Sequence, residues 1–219
     1  MTEQVTKPVT YQVTLLRHAE SIGNAEGYYQ GQSDFPLSEK GAQQAQALCD
    51  YWRSKEASFN LIISSPLARA RQTAEFLAQS LAIPLVFDPL WMERDAGLLS
   101  GLHQKEAEIL FPKPDFIHIY QPIGKTGESQ WQLYLRAGNA VQKIIDRPPG
   151  NYLVVSHGAL LNMVLYTVLG IVPQANFQGP HFYFSNTGFA CLTYYPELHN
   201  WVLERLVDQQ LWTENSNHK

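Results

Sequence analysis

Short apolar runs alternate with helical stripes along most of this chain, and that alternation restricts the sheet it can build. Val13-Thr14-Leu15-Leu16 stops abruptly at Arg17-His18, and Asn60 to Ser64, Leu85 to Phe87 and Tyr152 to Val155 are runs of the same kind. Strands that are apolar at successive positions bury both faces, as parallel strands beneath helices do. Between them lie helical patterns. Ser38 can cap a helix running to about Lys55, with Ala42, Ala45 and Leu48 on one face. Ser65-Pro66 reads as the start of a second helix, with the stripe Leu67, Ala70, Ala74, Leu77 and Leu81. A third runs from about Ser129 to Asp146, amphipathic through Trp131, Tyr134, Val141 and Ile145, and a fourth from Gly158 to Leu169. The pattern predicts an α/β three-layer sandwich with a mainly parallel central sheet and helices on both faces. Past Leu169, Phe182 to Phe184, Gly188 to Tyr195 and Trp201 to Leu206 read as strands without intervening helices, so an antiparallel strand is expected at the sheet edge.

A chain of 219 residues, 45% hydrophobic, can bury one core without disulfide help. No repeat or linker divides it, so residues 1–219 read as a single domain. An irregular insertion at about 102–127 is marked by Pro112, Pro114, Pro122 and Gly124. The net charge of -4, with Lys and Arg scattered, supplies no cationic field, which disfavours nucleic acid and acidic membrane as partners. Leu153 to Val172 is interrupted by Ser156, His157, Gly158 and Asn162, short of the roughly 18 apolar residues of a membrane span. Met1 to Thr10 lacks the apolar stretch of a secretory signal, and Cys49 and Cys191 show no metal-ligand spacing. A cytoplasmic protein is expected, without metal or cofactor; a homo-oligomer is compatible with all of this.

In open α/β sheets ligands bind beyond the carboxyl ends of the strands. The first strand runs into Arg17-His18, the second gives way to a helix bearing Arg69, Glu93 follows the third, and the fourth ends in Ser156-His157-Gly158. Two arginines, two histidines and one acid at one edge suit phosphoryl transfer. Guanidinium groups bind phosphate oxygens and stabilise charge in the transition state. One imidazole can attack, the other can donate a hydrogen bond, and a carboxylic acid can protonate the departing oxygen. Singly, each has an ordinary reading: surface arginine, hydrogen-bonded core histidine, solvated loop acid. The set outweighs those readings. Arg71, His103, His118, His181, His199 and His218 show no such arrangement and read as ordinary.

Other chemistries fail on spacing. Gly124-Lys125-Thr126 resembles the end of a P-loop, but Ile119 stands where that motif needs its first glycine. Ser156 lies in no GxSxG elbow, and no GxGxxG turn follows the first strand.

The chain resembles the histidine phosphatase superfamily, in its phosphoglycerate-mutase-like branch, from Leu15 to about Thr193. The resemblance rests on Leu16 to Ser21 with Asn24, Gln30-Gly31 and Asp34, Pro36-Leu37-Ser38 with Gly41, Ser64 to Ala70 with Gln72-Thr73, Glu93-Arg94 with Gly97, Gly127-Glu128-Ser129, and Ser156-His157-Gly158. It implies that His18 is phosphorylated, that Arg17, Arg69 and His157 form the phosphate pocket, and that Glu93 donates the proton. It also implies that Asn24, Gln30 and the backbone around Gly31 touch substrate, with Arg94 beside them. Ala19 stands where the family usually has glycine, and Ala96 where its mutases commonly have an aromatic residue. The mutases also carry an arginine-bearing insertion, whereas Leu102 to Thr126 holds Lys105, Lys113 and Lys125 but no arginine. The expectation is therefore a metal-independent phosphomonoesterase for a small phosphorylated metabolite. A cofactor-dependent phosphoglycerate mutase is the nearest rival. A catalytically silent phosphate-binding or scaffold module is the rival from another class.

Overall fold

The computed structural model describes residues 9–214, so the amino-terminal expectation and His218 lie wholly or largely outside it. Six strands form one sheet, β1 (Tyr11–Arg17), β2 (Leu61–Ser64), β3 (Leu85–Phe87), β4 (Asn151–Ser156), β5 (Phe189–Tyr195) and β6 (Asn200–Val207), in the order β3-β2-β4-β1-β5-β6. The helices are α1 (Ile22–Ala25), α2 (Glu39–Ser54), α3 (Ala68–Leu81), α4 (Gln104–Leu110), α5 (Gln130–Ile145), α6 (Gly158–Leu169) and α7 (Gln209–Glu214). The pairings among β1 to β4 are parallel, while β5 pairs antiparallel with both β1 and β6. The architecture is the expected sandwich with an antiparallel edge.

Alternation along the strands explains why they read as apolar at successive positions. Val13 and Leu15 of β1 join a core with α5 and α6, whereas Leu16 joins the opposite core with α2 and α3. Ile63 and Ile62 of β2 divide between the two layers in the same way. Complete burial of each such side chain stabilises the fold by about 1.5–3 kcal/mol. Because β1 lies inside the sheet, between β4 and β5, its carboxyl end delivers Arg17 and His18 to the interior of the sheet edge rather than to a flank.

Several local expectations need correction. Ser65 does not cap a helix starting at Pro66; α3 begins at Ala68, whose N–H donates to Asp34 Oδ1 at 2.5 Å. The buried face of α5 is Leu133, Ala137, Ala140, Val141 and Ile144, whereas Trp131 and Tyr134 are half-buried and stack on each other. The insertion contains α4, a helix that no pattern in the sequence marks. Its amino-terminal turn is closed by His103, whose Nδ1 accepts from Lys105 N–H at 3.3 Å. Phe182 to Phe184 is not a strand. Asn162 instead bonds both the N–H and the carbonyl of Phe182, each at 2.8 Å. Among the described residues no helix is long and apolar enough to cross a membrane.

Candidate active site

β1 and β4 lie side by side and in register, Arg17 opposite Ser156, so the next residue of each, His18 and His157, emerges at the carboxyl edge beside the other. The ladder continues one step further, His18 N–H donating to Ser156 O at 3.0 Å. Both histidines are buried, and their ring centroids are 5.0 Å apart. Ala19 is fully buried and adopts no positive φ, so the missing glycine costs no backbone strain there.

The hydrogen bonds assign the tautomer of His18 and accommodate one for His157. His18 Nδ1 lies 2.7 Å from the carbonyl oxygen of Ala19, which can only accept, so Nδ1 carries the proton and Nε2 keeps its lone pair. His157 Nε2 lies 2.8 Å from Ser65 Oγ, which itself accepts from Leu67 N–H at 3.3 Å. The Ser65 hydroxyl can donate to His157 Nε2, the arrangement in which the imidazole proton sits on Nδ1. That Nδ1 is buried and has no partner among the described residues. A buried polar atom left unpaired costs about 1–3 kcal/mol, so this nitrogen beside His18 calls for a bound water or a ligand.

The arginines repeat the pattern. Arg69 is 1% exposed; its Nη1 and Nη2 donate to the carbonyls of Ser33 at 2.9 Å and Gly31 at 2.8 Å, leaving Nε buried and unpartnered. Gly31 takes φ +50° to present that carbonyl, and an added Cβ would sit 2.4 Å from Ser100 Oγ. Arg17 Nη1 donates to Phe184 O at 2.6 Å, and its Nε is likewise unpartnered. Burial lowers the basicity of both, Arg69 to about 10, against the opposing pull of Glu93. Burial, and then Arg69 and Arg17, hold both imidazoles well below their ordinary value of 6.5, so both are neutral at physiological pH.

Glu93 reaches the site from the loop after β3. Its Oε1 accepts from Arg94 N–H at 2.8 Å and Leu160 N–H at 3.2 Å, and Oε2 from Ala159 N–H at 3.3 Å, so the carboxylate closes the amino-terminal turn of α6. It borders a cavity of about 450 Å³ together with Arg17, Arg94, Met163, Phe177 and Tyr183. Asn24 and Gln30 serve the loop itself: Ser21 Oγ lies 2.9 Å from Asn24 Oδ1 and 2.7 Å from Gln30 Oε1, its one hydroxyl proton serving one of them at a time. The Arg94 guanidinium lies over the Phe177 ring, 5.2 Å from its centroid, with its Nε buried and unpartnered.

Three supports are invisible in the sequence. Asn186 Nδ2 donates to His18 O at 3.0 Å, and Thr187 N–H donates to Arg17 O at 3.1 Å. Arg136 on α5 donates to the carbonyls of Leu90, Met92 and Glu93 and pairs with Glu128. Gly127 permits this approach, since a Cβ there would lie 2.3 Å from Asp95 O. Ser65 reads from sequence as a helix cap alone; its place directly after β2 is the signal that points to the site. Among the described residues no cluster of three or more His, Cys, Asp or Glu is arranged to hold a metal ion.

The family model of the histidine phosphatase superfamily, branch 1, matches residues 13–209. The chain belongs to that superfamily. Among histidine phosphatase relatives, a Cronobacter sakazakii protein named "Probable phosphoglycerate mutase GpmB" is 38% identical over 174 residues, 75% of this chain and 77% of its own. The alpha-ribazole phosphatase of Shigella flexneri shares the histidine phosphatase fold with a TM-score of 0.76 and 22% identity, over 90% of this chain and 96% of that one. Bacillus stearothermophilus YhfR gives 0.74 and 27% identity, over 89% and 95%.

Proposed function

We propose that this protein is a metal-independent phosphomonoesterase that hydrolyses a small phosphorylated metabolite through a phosphohistidine on His18. The observation that carries the reading is the set of unpartnered donors around a neutral imidazole: His157 Nδ1, Arg17 Nε and Arg69 Nε beside His18 Nε2. Such donors suit the oxygens of a phosphoryl group, whose charge they neutralise without a cation.

The lone pair on His18 Nε2 attacks phosphorus and the bond to the alcohol oxygen breaks, while Glu93 gives that oxygen its proton. Water then attacks phosphorus and yields its proton to Glu93. The nitrogen–phosphorus bond breaks, releasing inorganic phosphate and restoring His18. Glu93 fits the acid's place because it borders both Arg17 and the cavity that would receive the alcohol. Asn24, Gln30 and Gly31 fit a supporting place, holding the loop and Arg69. The mutase alternative draws on the name of the relative at 38% identity.

The test is to trap the intermediate. Brief reaction with a labelled monoester should yield an acid-labile, base-stable phosphoenzyme that His18→Ala does not form. Label on serine or cysteine, or turnover by His18→Ala equal to wild type, would overturn the reading. Isomerisation of phosphoglycerate dependent on bisphosphoglycerate, outpacing hydrolysis, would establish the mutase instead.

A further inference from the structure

A second cavity, of about 1020 Å³, lies beneath the insertion; Leu99, Leu110, Phe111 and Ile117 give it a mainly apolar lining, with Glu108 and Lys113 among the charged residues on its walls. It is larger than the cavity beside Glu93 and has Arg94 and Phe177 in common with it, so the two meet at that stacked pair. Among the described residues no side-chain hydrogen bond holds Arg94 against a wall; its flat guanidinium rests on the ring. A stacked face of this kind presents an apolar-compatible surface where a polar barrier would otherwise stand.

The second cavity is braced and has a fixed floor. The 3-10 turn Ile123–Lys125 packs on the turn Gly97–Leu99, and Gly127 N–H donates to Ile123 O at 2.8 Å. Lys125 Nζ lies over the Phe111 ring, 5.3 Å from its centroid, so one of the charges nearby is itself folded onto an aromatic face. Leu110 on the wall of this cavity is 55% exposed, and Ile109 and Phe116 elsewhere on the insertion are exposed at 79% and 57%. Apolar side chains left outward around a cavity mark a place where an apolar ligand is received.

Taking the phosphomonoesterase reading as its basis, we propose that the second cavity is a subsite for the apolar tail of the substrate. The substrate class is then a phosphate monoester of an amphipathic alcohol. Its ester oxygen lies at Glu93, its body fills the first cavity, and its hydrocarbon end passes Phe177 into the second. The occupant is the substrate's own tail because the cavity shares Arg94 and Phe177 with the one that borders the acid, where the alcohol must leave.

The test is a series of butyl, hexyl, octyl and decyl phosphates, each below its critical micelle concentration, with nitrophenyl phosphate alongside. Once the chain reaches the second cavity, kcat/KM should rise about two- to fourfold per methylene, the upper figure corresponding to about 0.8 kcal/mol per buried group. Ala107→Trp, which fills the cavity from the buried face of α4, and Leu110→Asp, which places charge on its wall, should each bring the decyl-to-butyl ratio towards one. Leu110 is half-exposed, so its variant tests the idea even where Ala107→Trp fails to fold. A flat series in the wild type, an unchanged ratio in Leu110→Asp, or a length preference seen only above the micelle concentration would overturn the subsite. Hydrolysis of every ester at equal efficiency would overturn the subsite alone, whereas turnover of none of them would overturn the phosphomonoesterase reading itself.

Discussion

Arg136 meets Glu128 in a two-point ion pair, Nη2 to Oε2 at 2.6 Å and Nε to Oε1 at 2.7 Å, and the same guanidinium holds the loop that delivers Glu93. Its Nη1 donates to Leu90 O at 2.8 Å and Met92 O at 2.7 Å, and Nη2 to Glu93 O at 3.1 Å. Glu128 Oε2 completes the clamp by accepting from Asp95 N–H at 2.9 Å, so the backbone is held on both sides of Glu93.

With Glu93 as the proposed acid, Arg136 is a positioning residue, and its removal should be felt at the departing oxygen. Arg136→Met should lower kcat on alkyl phosphates by about tenfold or more while sparing nitrophenyl phosphate, because a small misplacement of an acid costs most where protonation is needed. It should also destabilise the fold by about 3 kcal/mol, since Glu128 is left partly buried without its partner. Arg136→Lys should recover stability more fully than kcat, because an ammonium group lacks the fork that reaches Glu128 and three carbonyls at once. Equal losses on both ester types would assign Arg136 to folding alone.

Glu93→Gln tests the acid directly. An alkoxide needs protonation as its bond to phosphorus breaks, whereas a nitrophenolate leaves largely unaided. The variant should lose about 10²-fold or more on alkyl phosphates and far less on nitrophenyl phosphate. Uniform losses would indicate that Glu93 serves only to close the first turn of α6.

Activity should survive prolonged EDTA. On the proposed reading the phosphate charge is met by Arg17 and Arg69, neither of which chelation affects. Inactivation by chelator, with recovery on adding zinc, magnesium or manganese, would contradict this.

Acid should weaken the unliganded fold sooner than its carboxylates would suggest. His18 and His157 are held below 6.5 in the folded state by burial and the arginines, so between the folded and unfolded values the unfolded chain binds more protons. The stability that depends on their neutrality is complete above 6.5 and declines as pH falls below it. Glu128, lowered from 4.5 by Arg136 against its own burial, adds a loss only at more acidic pH. The urea midpoint should thus fall between about pH 7.5 and about pH 5.5, and His18→Asn should flatten that slope. A slope identical in the variant would show that the titrating groups lie elsewhere.

How much of the molecule is legible in the sequence depends on where the information lies. Leu15-Leu16 and Ile62-Ile63 reveal parallel strands because each pair serves two cores at once. Arg17, His18 and His157 can be picked out because each stands at or just beyond a strand end, and Arg69 because it lies in the first turn of the helix after β2. The face of α5 is misread because Trp131 and Tyr134 outweigh Ala137 and Ala140 in any hydrophobic pattern, while the small residues lie in the core. Phe182 to Phe184 looks like a strand from its aromatic content, yet its backbone partners are the side chains of Asn162 and Arg17, which no local pattern announces. Arg136 stays hidden for the same reason: its partners include carbonyls more than forty positions away.

The bracing of His18 from both sides, by Ser156 and Asn186, bears on the fate of the phosphoryl group. If the phosphohistidine proposed above forms, a histidine whose peptide is pinned cannot travel to meet a second reactant, so the phosphorus must be approached from the side the alcohol has just left. Water and any lingering alcohol then compete for one vacancy. Partition between hydrolysis and re-esterification is set by how quickly that vacancy empties, and glycerol added to the reaction should divert part of the phosphate into a new ester.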